Sequence, residues 1–335
     1  MKKNLATLLI YGLPLPLLLV SLMIGPSPDL QLGDYTTCAA RLLKGMAVES
    51  DSRPALVYGI IRNIRLPRVL LTFMIGAGLA TSGASLQGIF RNPLVDPYVL
   101  GISSGAAFGA ALAIAFPLLS INVSAFVFGI VSVLLAYSFA ASKANASIVS
   151  IILSGMIVSG IFTALLTIVQ FISDPFKLQA IVQWTMGNLH HASWSKFNQA
   201  VIPVGLGVTG IYILRWRLNL LSLGDDEAKA VGVNPSRDKF LLIALATLVT
   251  TASVAAAGII SMYGLFVPHM VRMLVGPDNR RAIPANIFFG GSFLLLIDNF
   301  SRSMLQFEIP IGIFTMLLGA PFFVFLMKKN KINWV

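Results

Sequence analysis

An apolar helix that breaks at a glycine and a proline, and breaks again in the same way 175 positions later, constrains this chain most. Gly83, Pro93 and Gly101 recur as Gly258, Pro268 and Gly276. In each copy an apolar run meets a glycine, reaches a proline ten residues on and restarts past a second glycine. Almost all of the surrounding sequence is apolar and of helical length. An internal repeat whose helices break at matching places marks a membrane protein built from two halves about a central path.

Charge usage supports the membrane class. Only 11% of the 335 residues are charged, against about 25% in a soluble domain. Apolar runs of spanning length fall near 5–25, 67–90, 98–117, 122–141, 148–172, 197–214, 240–260, 282–301 and 309–327, with a shorter one near 262–275. The expected fold is therefore all-α: a polytopic membrane protein of about ten transmembrane helices with an inverted internal repeat, forming one domain over 1–335. The repeat units are expected at about 62–172 and 238–327. Met1–Asn4 followed by Leu5–Ile24 has the outline of a signal peptide, but the run is long and ends at Gly25-Pro26, so it reads as a retained first helix.

With ten spans both termini share one side. Lys2, Lys3, Lys328, Lys329 and Lys331 make that side cytoplasmic by the positive-inside rule, and 15 of the 24 Lys and Arg then fall there. The net charge of +11 is thus a loop charge bias and not a nucleic-acid surface. Span two and span seven are an odd number of helices apart, so the two copies cross in opposite directions. Arg62, Arg65 and Arg68 before span two, and Arg302 at the end of span nine, fall on the outer side. They either anchor helix ends by snorkelling or present a positive patch to an acidic partner.

Several chemistries are excluded. The single Cys38 allows no intramolecular disulfide or cysteine metal cluster. No Gly-x4-Gly-Lys-Ser/Thr occurs, so the chain carries no P-loop. Three His and no close carboxylate pair within the apolar runs give an embedded enzyme nothing to work with. An ion-coupled carrier needs acids at the midplane, and only Asp298 comes near one; its i,i+4 spacing to Arg302 makes it a local ion-pair partner. No cofactor and no bound metal are expected.

Arg65-Leu-Pro-Arg68, the run Gly83–Ala106 with Asn92-Pro-Leu-Val-Asp-Pro97 inside it, Gly264-Leu-Phe-Val-Pro-His-Met-Val-Arg272, and Glu308-Ile-Pro-Ile-Gly-Ile-Phe-Thr315 with Gly319-Ala-Pro321 occur in this order. Together they resemble the FecCD-type permeases of bacterial ABC importers for iron-siderophores, haem and vitamin B12, from about Arg65 to the C-terminus. The resemblance implies a homodimer in the inner (cytoplasmic) membrane, two separate cytoplasmic ATP-binding subunits and an extracytoplasmic solute-binding protein. The cargo it implies is a metal chelate, with an oxyanion such as molybdate as the alternative. It also implies roles for particular residues. Arg65, Arg68 and Arg302 would meet acidic residues of the solute-binding protein. Asn92 would lie at the cytoplasmic gate, facing Ser147 and Ser150 across the dimer axis. The inner loop Arg215–Lys239 would couple to the ATPase through Gly224, Asp225, Glu227, Ala228 and Gly232.

In that loop the three acids Asp225, Asp226 and Glu227 suit the start of a short helix, which Gly232 would end, leaving Ala228 and Val231 on one face. Lys177–Trp194 reads as a short amphipathic lateral helix on the outer side. His190 and His191 lie in it; adjacent side chains diverge, which makes them a poor ligand pair. His269 reads as a packing residue.

Overall fold

The structure, a computed structural model, describes residues 2–25, 32–43, 52–117, 119–140, 148–305 and 307–329. Fifteen α-helices account for nearly all of them. They are α1 (Lys2–Gly12), α2 (Pro14–Ser21), α3 (Leu32–Leu43), α4 (Arg53–Ile60), α5 (Leu66–Phe90), α6 (Ile102–Ala115), α7 (Ile121–Ala140), α8 (Ile148–Ile172), α9 (Pro175–Thr185), α10 (Trp194–Leu223), α11 (Asp225–Ala230), α12 (Pro235–Ala257), α13 (Tyr263–Val275), α14 (Asn279–Ser303) and α15 (Ile311–Lys329). Six described helical stretches are long and apolar enough to cross a membrane, and α6, α13 and α15 are shorter apolar helices. α1 and α2 form one bent segment: Pro14 and Pro16 remove two donors, yet Leu13 and Leu17 still bond back across the bend. Counting that pair as one, the ten apolar runs of the sequence all become helix.

α5 is the central column. A single π-helical turn at Ile61–Arg65 joins it to α4, so Arg53–Phe90 runs unbroken, and 83% of its most apolar window is buried. The same measure is only 28% for α8 and 22% for α10, which places those two at the periphery. Around α5 pack α10, α12, α13 and α14. Glycines set the closest approaches. A Cβ on Gly83 would lie 1.9 Å from the Gly264 carbonyl oxygen of α13, and one on Gly76 would lie 2.5 Å from the Gly290 carbonyl oxygen of α14. In a membrane, where lipid tails are as apolar as Leu, helix association depends on such backbone-to-backbone contact.

Two breaks interrupt the bundle. The first follows Arg91, which takes a left-handed conformation (φ 48°), and passes through Pro93 and a 3-10 turn at Pro97–Leu100 to Gly101. The second runs from Gly258 to Met262, both with positive φ. The breaks meet inside the bundle: the Tyr98 hydroxyl donates to the Ile260 carbonyl and accepts from the Ile260 amide, each at 3.2 Å. The Asn188 amide closes on the Ala257 carbonyl at 2.8 Å. Gln87 donates from its side-chain amide to the carbonyls of Val95, Gly264 and Leu265. Non-helical backbone at membrane depth persists only where protein satisfies it in this way.

The element order of long helix, break, short helix and two further helices recurs as α5–α8 and α12–α15. The residue register read from the sequence does not. Gly83 lies inside α5 whereas Gly258 caps α12; Pro93 lies in a break whereas Pro268 lies within α13; Gly101 precedes α6 whereas Gly276 follows α13. The match at 175 residues is therefore not a structural equivalence, because Gly83 is selected by its contact with Gly264 and not by a turn.

If that contact holds the column, Gly83→Val is expected to destabilise the purified chain by at least about 2 kcal/mol, the scale of severe overpacking. The control is Gly160→Ala in α8, where no atom lies within 4 Å of the added Cβ. It should leave the melting temperature in detergent unchanged or slightly raised.

Candidate functional site

Polar side chains concentrate at the two ends of the bundle. At the end where α5 begins, Arg68 places its guanidinium against Asp298 of α14, with Nε 3.2 Å from both carboxylate oxygens and Nη2 2.8 Å from Oδ1. Its Nη1 meets Glu308, 2.9 Å from Oε2, and His190 Nδ1 approaches the same oxygen at 2.8 Å. Arg302 lies 3.6 Å from Asp298 and donates to the Ser21 carbonyl at 2.8 Å and to Asn299. Arg65 donates to the carbonyls of Leu22 and Met23, both at 3.0 Å, and to the Tyr35 hydroxyl at 2.6 Å. One cluster thus ties the end of α2, the start of α5, the end of α14 and the segments after α9 and α14.

Arg65, Arg68 and Arg302, which the sequence leaves as either helix-end anchors or a positive patch, are engaged within the chain. The three are 4%, 8% and 3% exposed. Two carboxylates face Arg68 and Arg302, and backbone and phenol oxygens face Arg65, so their charge is used within the chain. Asp298 pairs chiefly with Arg68, across 230 residues of sequence, and only at longer range with Arg302 four residues away. His190 is occupied by Glu308. Burial alone would raise the Glu308 carboxyl, but His190 and Arg68 outweigh it and hold it at about 2.

At the opposite end, Arg91 and Lys239 both reach Asp225, each at 2.6 Å. They pin the first residue of α11 to the end of α5 and the start of α12. Burial would raise the Asp225 carboxyl, and the two cations hold it below its ordinary value instead. A cavity of about 470 Å³ opens beside this pin, lined by Gln87, Arg91, Asn92, Asn219, Arg272 and Asp278 among others. Arg272 hydrogen-bonds the Gln87 side-chain oxygen. Asn92 is exposed at the cavity rim and its side chain caps the Leu94 amide at 2.9 Å. Ser150 lies in the first turn of α8 and Ser147 lies outside the described residues.

The loop expected at Arg215–Lys239 is mostly helix. α10 continues to Leu223 and α12 begins at Pro235, capped by Asn234, so only 224–234 lies between them. α11 starts at Asp225 as expected, and Gly232 follows it with φ 82°. Ala228 and Val231 do not share a face, however. Ala228 is fully buried with Leu218, Leu221 and Leu242 of its own chain, and Val231 is 59% exposed. Gly224 takes φ 153°, a backbone conformation that residues with a side chain rarely adopt. The lateral helix is α9, shorter than expected. Asp174 caps it by accepting from the Phe176 and Lys177 amides, and Trp194 opens α10 instead, its indole donating to the Arg62 carbonyl at 2.9 Å. His269 packs against Phe322 and Phe323 as a packing residue does.

Gln87 carried no sequence signal, being one polar residue in an apolar run. Glu308 stood in a recognised motif, but its partners are more than a hundred residues distant. Among the described residues no group of three His, Cys, Asp or Glu could hold a metal ion.

A bundle of apolar helices, broken at two places that meet inside it and flanked by polar ends, defines a multi-pass membrane permease. The FecCD transport family profile matches residues 13–329. The molybdate import system permease protein MolB of Haemophilus influenzae is 39% identical over 331 residues, covering 96% of each chain. The cobalamin import system permease protein BtuC of Halobacterium salinarum is 37% identical, covering 82% of this chain and 74% of that one. Among solved structures, an inward-facing conformation of a metal-chelate type ABC transporter superposes with a TM-score of 0.83 at 38% identity, covering 96% of this chain and 99% of the other. The chain belongs to the FecCD transport family, the permeases of ABC importers.

Breaking a buried ion pair by removing one partner costs about 3–5 kcal/mol, because it strands the other charge. Arg68→Ala should therefore lower stability on that scale in a detergent melt, and adding Asp298→Ala should recover part of the loss. Reversing Arg68 to Glu would report on folding before it reported on any partner. The folded Glu308 carboxyl lies below its ordinary 4.5. Its ionised contribution is accordingly complete above about pH 4.5 and lost as pH falls towards about 2. Melting temperature should stay level from pH 7 to 5 and drop below about pH 4, and Glu308→Gln should flatten that drop.

Proposed function

We propose that the chain is the membrane-spanning subunit of a binding-protein-dependent importer that carries a metal chelate into the cytoplasm. The observation that carries the reading is the near-complete superposition on a metal-chelate type transporter at 38% identity. Two copies would form the path, with α8 and α15 as the natural lining, since both keep large exposed apolar faces. Ion rings or intramembrane acids are not required, because the energy would come from ATP hydrolysed on two cytoplasmic subunits. Those would dock at the end bearing α11, where the Arg91–Asp225–Lys239 pin would transmit their motion straight to α5. Exposed Val231 and Leu223, and not Ala228, would then be the side chains offered to the ATPase. Asn92 at the cavity rim, with Ser147 and Ser150 of the second copy, would form the cytoplasmic gate.

The end bearing Arg68 would face outward and receive the solute-binding protein. Because its arginines are spent internally, that docking surface would depend on the shape the cluster maintains more than on free charge. Both termini would be cytoplasmic, and the α5–α8 and α12–α15 units would be related by inversion in the membrane of the cell. A second cargo has specific support: the molybdate permease relative matches along 96% of both chains.

The test is uptake into vesicles holding the chain with its ATPase subunits and binding protein, offered a radiolabelled ferric siderophore, haem, cobalamin or molybdate in parallel. Uptake of a chelate that stops when ATP or the ATPase is withheld is the expected result. Saturable uptake of molybdate alone would assign the oxyanion. Transport driven by a proton or sodium gradient without ATPase would overturn the importer reading.

A further inference from the structure

A slot lies between α7 and α10, floored by α12, which packs against both. Its floor is made of Ala252, Ala255 and Ala256, and its walls include Val123 and Phe126 of α7 and Ala200 and Pro203 of α10. The volume is about 320 Å³, within the range of small-molecule sites. Outside the slot the same two helices expose apolar side chains: Val127 at 47%, Ile202 at 66% and Leu206 at 63%. Such a surface on a spanning helix faces hydrocarbon, so the slot is open to the lipid phase.

The mouth is polar and positively charged. Lys196, in the first turn of α10, lines the slot and also a second cavity of about 680 Å³ that shares Asn122 and Ala256 with it. His191, Asn188, Gln183 and Trp184 line that wider basin. Asn122 and Gln199 bridge α7 to α10 at 3.0 Å beside Lys196. No carboxylate among the described residues pairs with the Lys196 ammonium. A cation in the first turn of a helix also lies at the positive end of the helix dipole, so the site holds two positive contributions and no anion of its own. Trp194, two residues before Lys196 at the start of α10, is of the kind that settles at the membrane–water boundary and marks the depth of this helix end.

We propose that this slot is a binding site for an anionic phospholipid, with one acyl chain along the alanine floor and the phosphate at Lys196. Apolar slot, polar mouth and boundary depth match the order of tail, phosphate and headgroup in one lipid molecule. A soluble anion would use the mouth but leave the slot without a role. A basic residue near the membrane surface contributes about 1 kcal/mol of attraction to anionic lipid, which is about fivefold in affinity.

Native mass spectrometry of the delipidated chain in detergent, titrated with dioleoyl phosphatidylglycerol or dioleoyl phosphatidylcholine, tests this without ATPase or binding protein, and so stands independently of the transport reading. The expected result is about fivefold preferential retention of phosphatidylglycerol. Lys196→Gln should remove that preference, Lys196→Arg should keep it, and Val123→Trp, which plugs the slot at an exposed wall, should reduce retention of both lipids. Equal retention of the two lipids by the unmodified chain would overturn the proposal. So would an unchanged preference in Lys196→Gln, or a Lys196→Gln effect on added molybdate with none on lipid, which would assign the cavity to a soluble anion.

Discussion

Backbone that leaves the helix inside an apolar medium must find its hydrogen bonds within the protein, and the rest of this structure is organised around that requirement. The two breaks expose carbonyls and amides at depth. Tyr98, Asn188 and Gln87 answer them, and each does so across a long stretch of sequence. Gln87 is the most connected of the three: it reaches both the first break and the start of α13, while Arg272 holds its oxygen. These bonds need the helices close together, and the Gly83–Gly264 and Gly76–Gly290 contacts supply the closeness.

The ends follow a different logic. Two groups gather much of the paired charge there: Arg68 and Arg302 with Asp298 and Glu308 at one end, Asp225 with Arg91 and Lys239 at the other. A closed group of this kind contributes little net stability over apolar packing, yet opening it by one member is costly. Ends that are costly to open, joined by a continuous column, α5, are the mechanical element a permease would use to connect a docking event at one side with a change at the other.

Among the described residues Lys196 belongs to neither of these groups and has no carboxylate partner. In a chain that answers its other buried cations from within, a partly buried ammonium at the mouth of an apolar slot marks a place completed by something from outside the chain.

The order and approximate limits of the apolar spans were legible in the amino-acid sequence, because span length and hydropathy are local properties that the bilayer imposes directly; α3 and α4, which are neither long nor strongly apolar, were not. So was the start of α11 at Asp225, where acids suit the first turn, and the packing role of His269. The family was legible from ordered motifs. The residue-level repeat was misread, since a glycine kept for helix contact and a glycine kept for a turn look alike in one dimension. Charge roles were legible only in part for a similar reason. Four-residue spacing gives Asp298 a partner in Arg302, which the fold keeps at 3.6 Å, while Arg68 comes closer from 230 residues away; the helix-end arginines are met by oxygens from Ser21, Leu22, Met23, Asp298 and Glu308, which no local pattern announces. Ala228 and Val231 parted because α10 and α12 bury one flank of α11. What lies along the chain sets which segments enter the membrane; which polar groups then meet depends on distances between segments, and only the tertiary structure decides those.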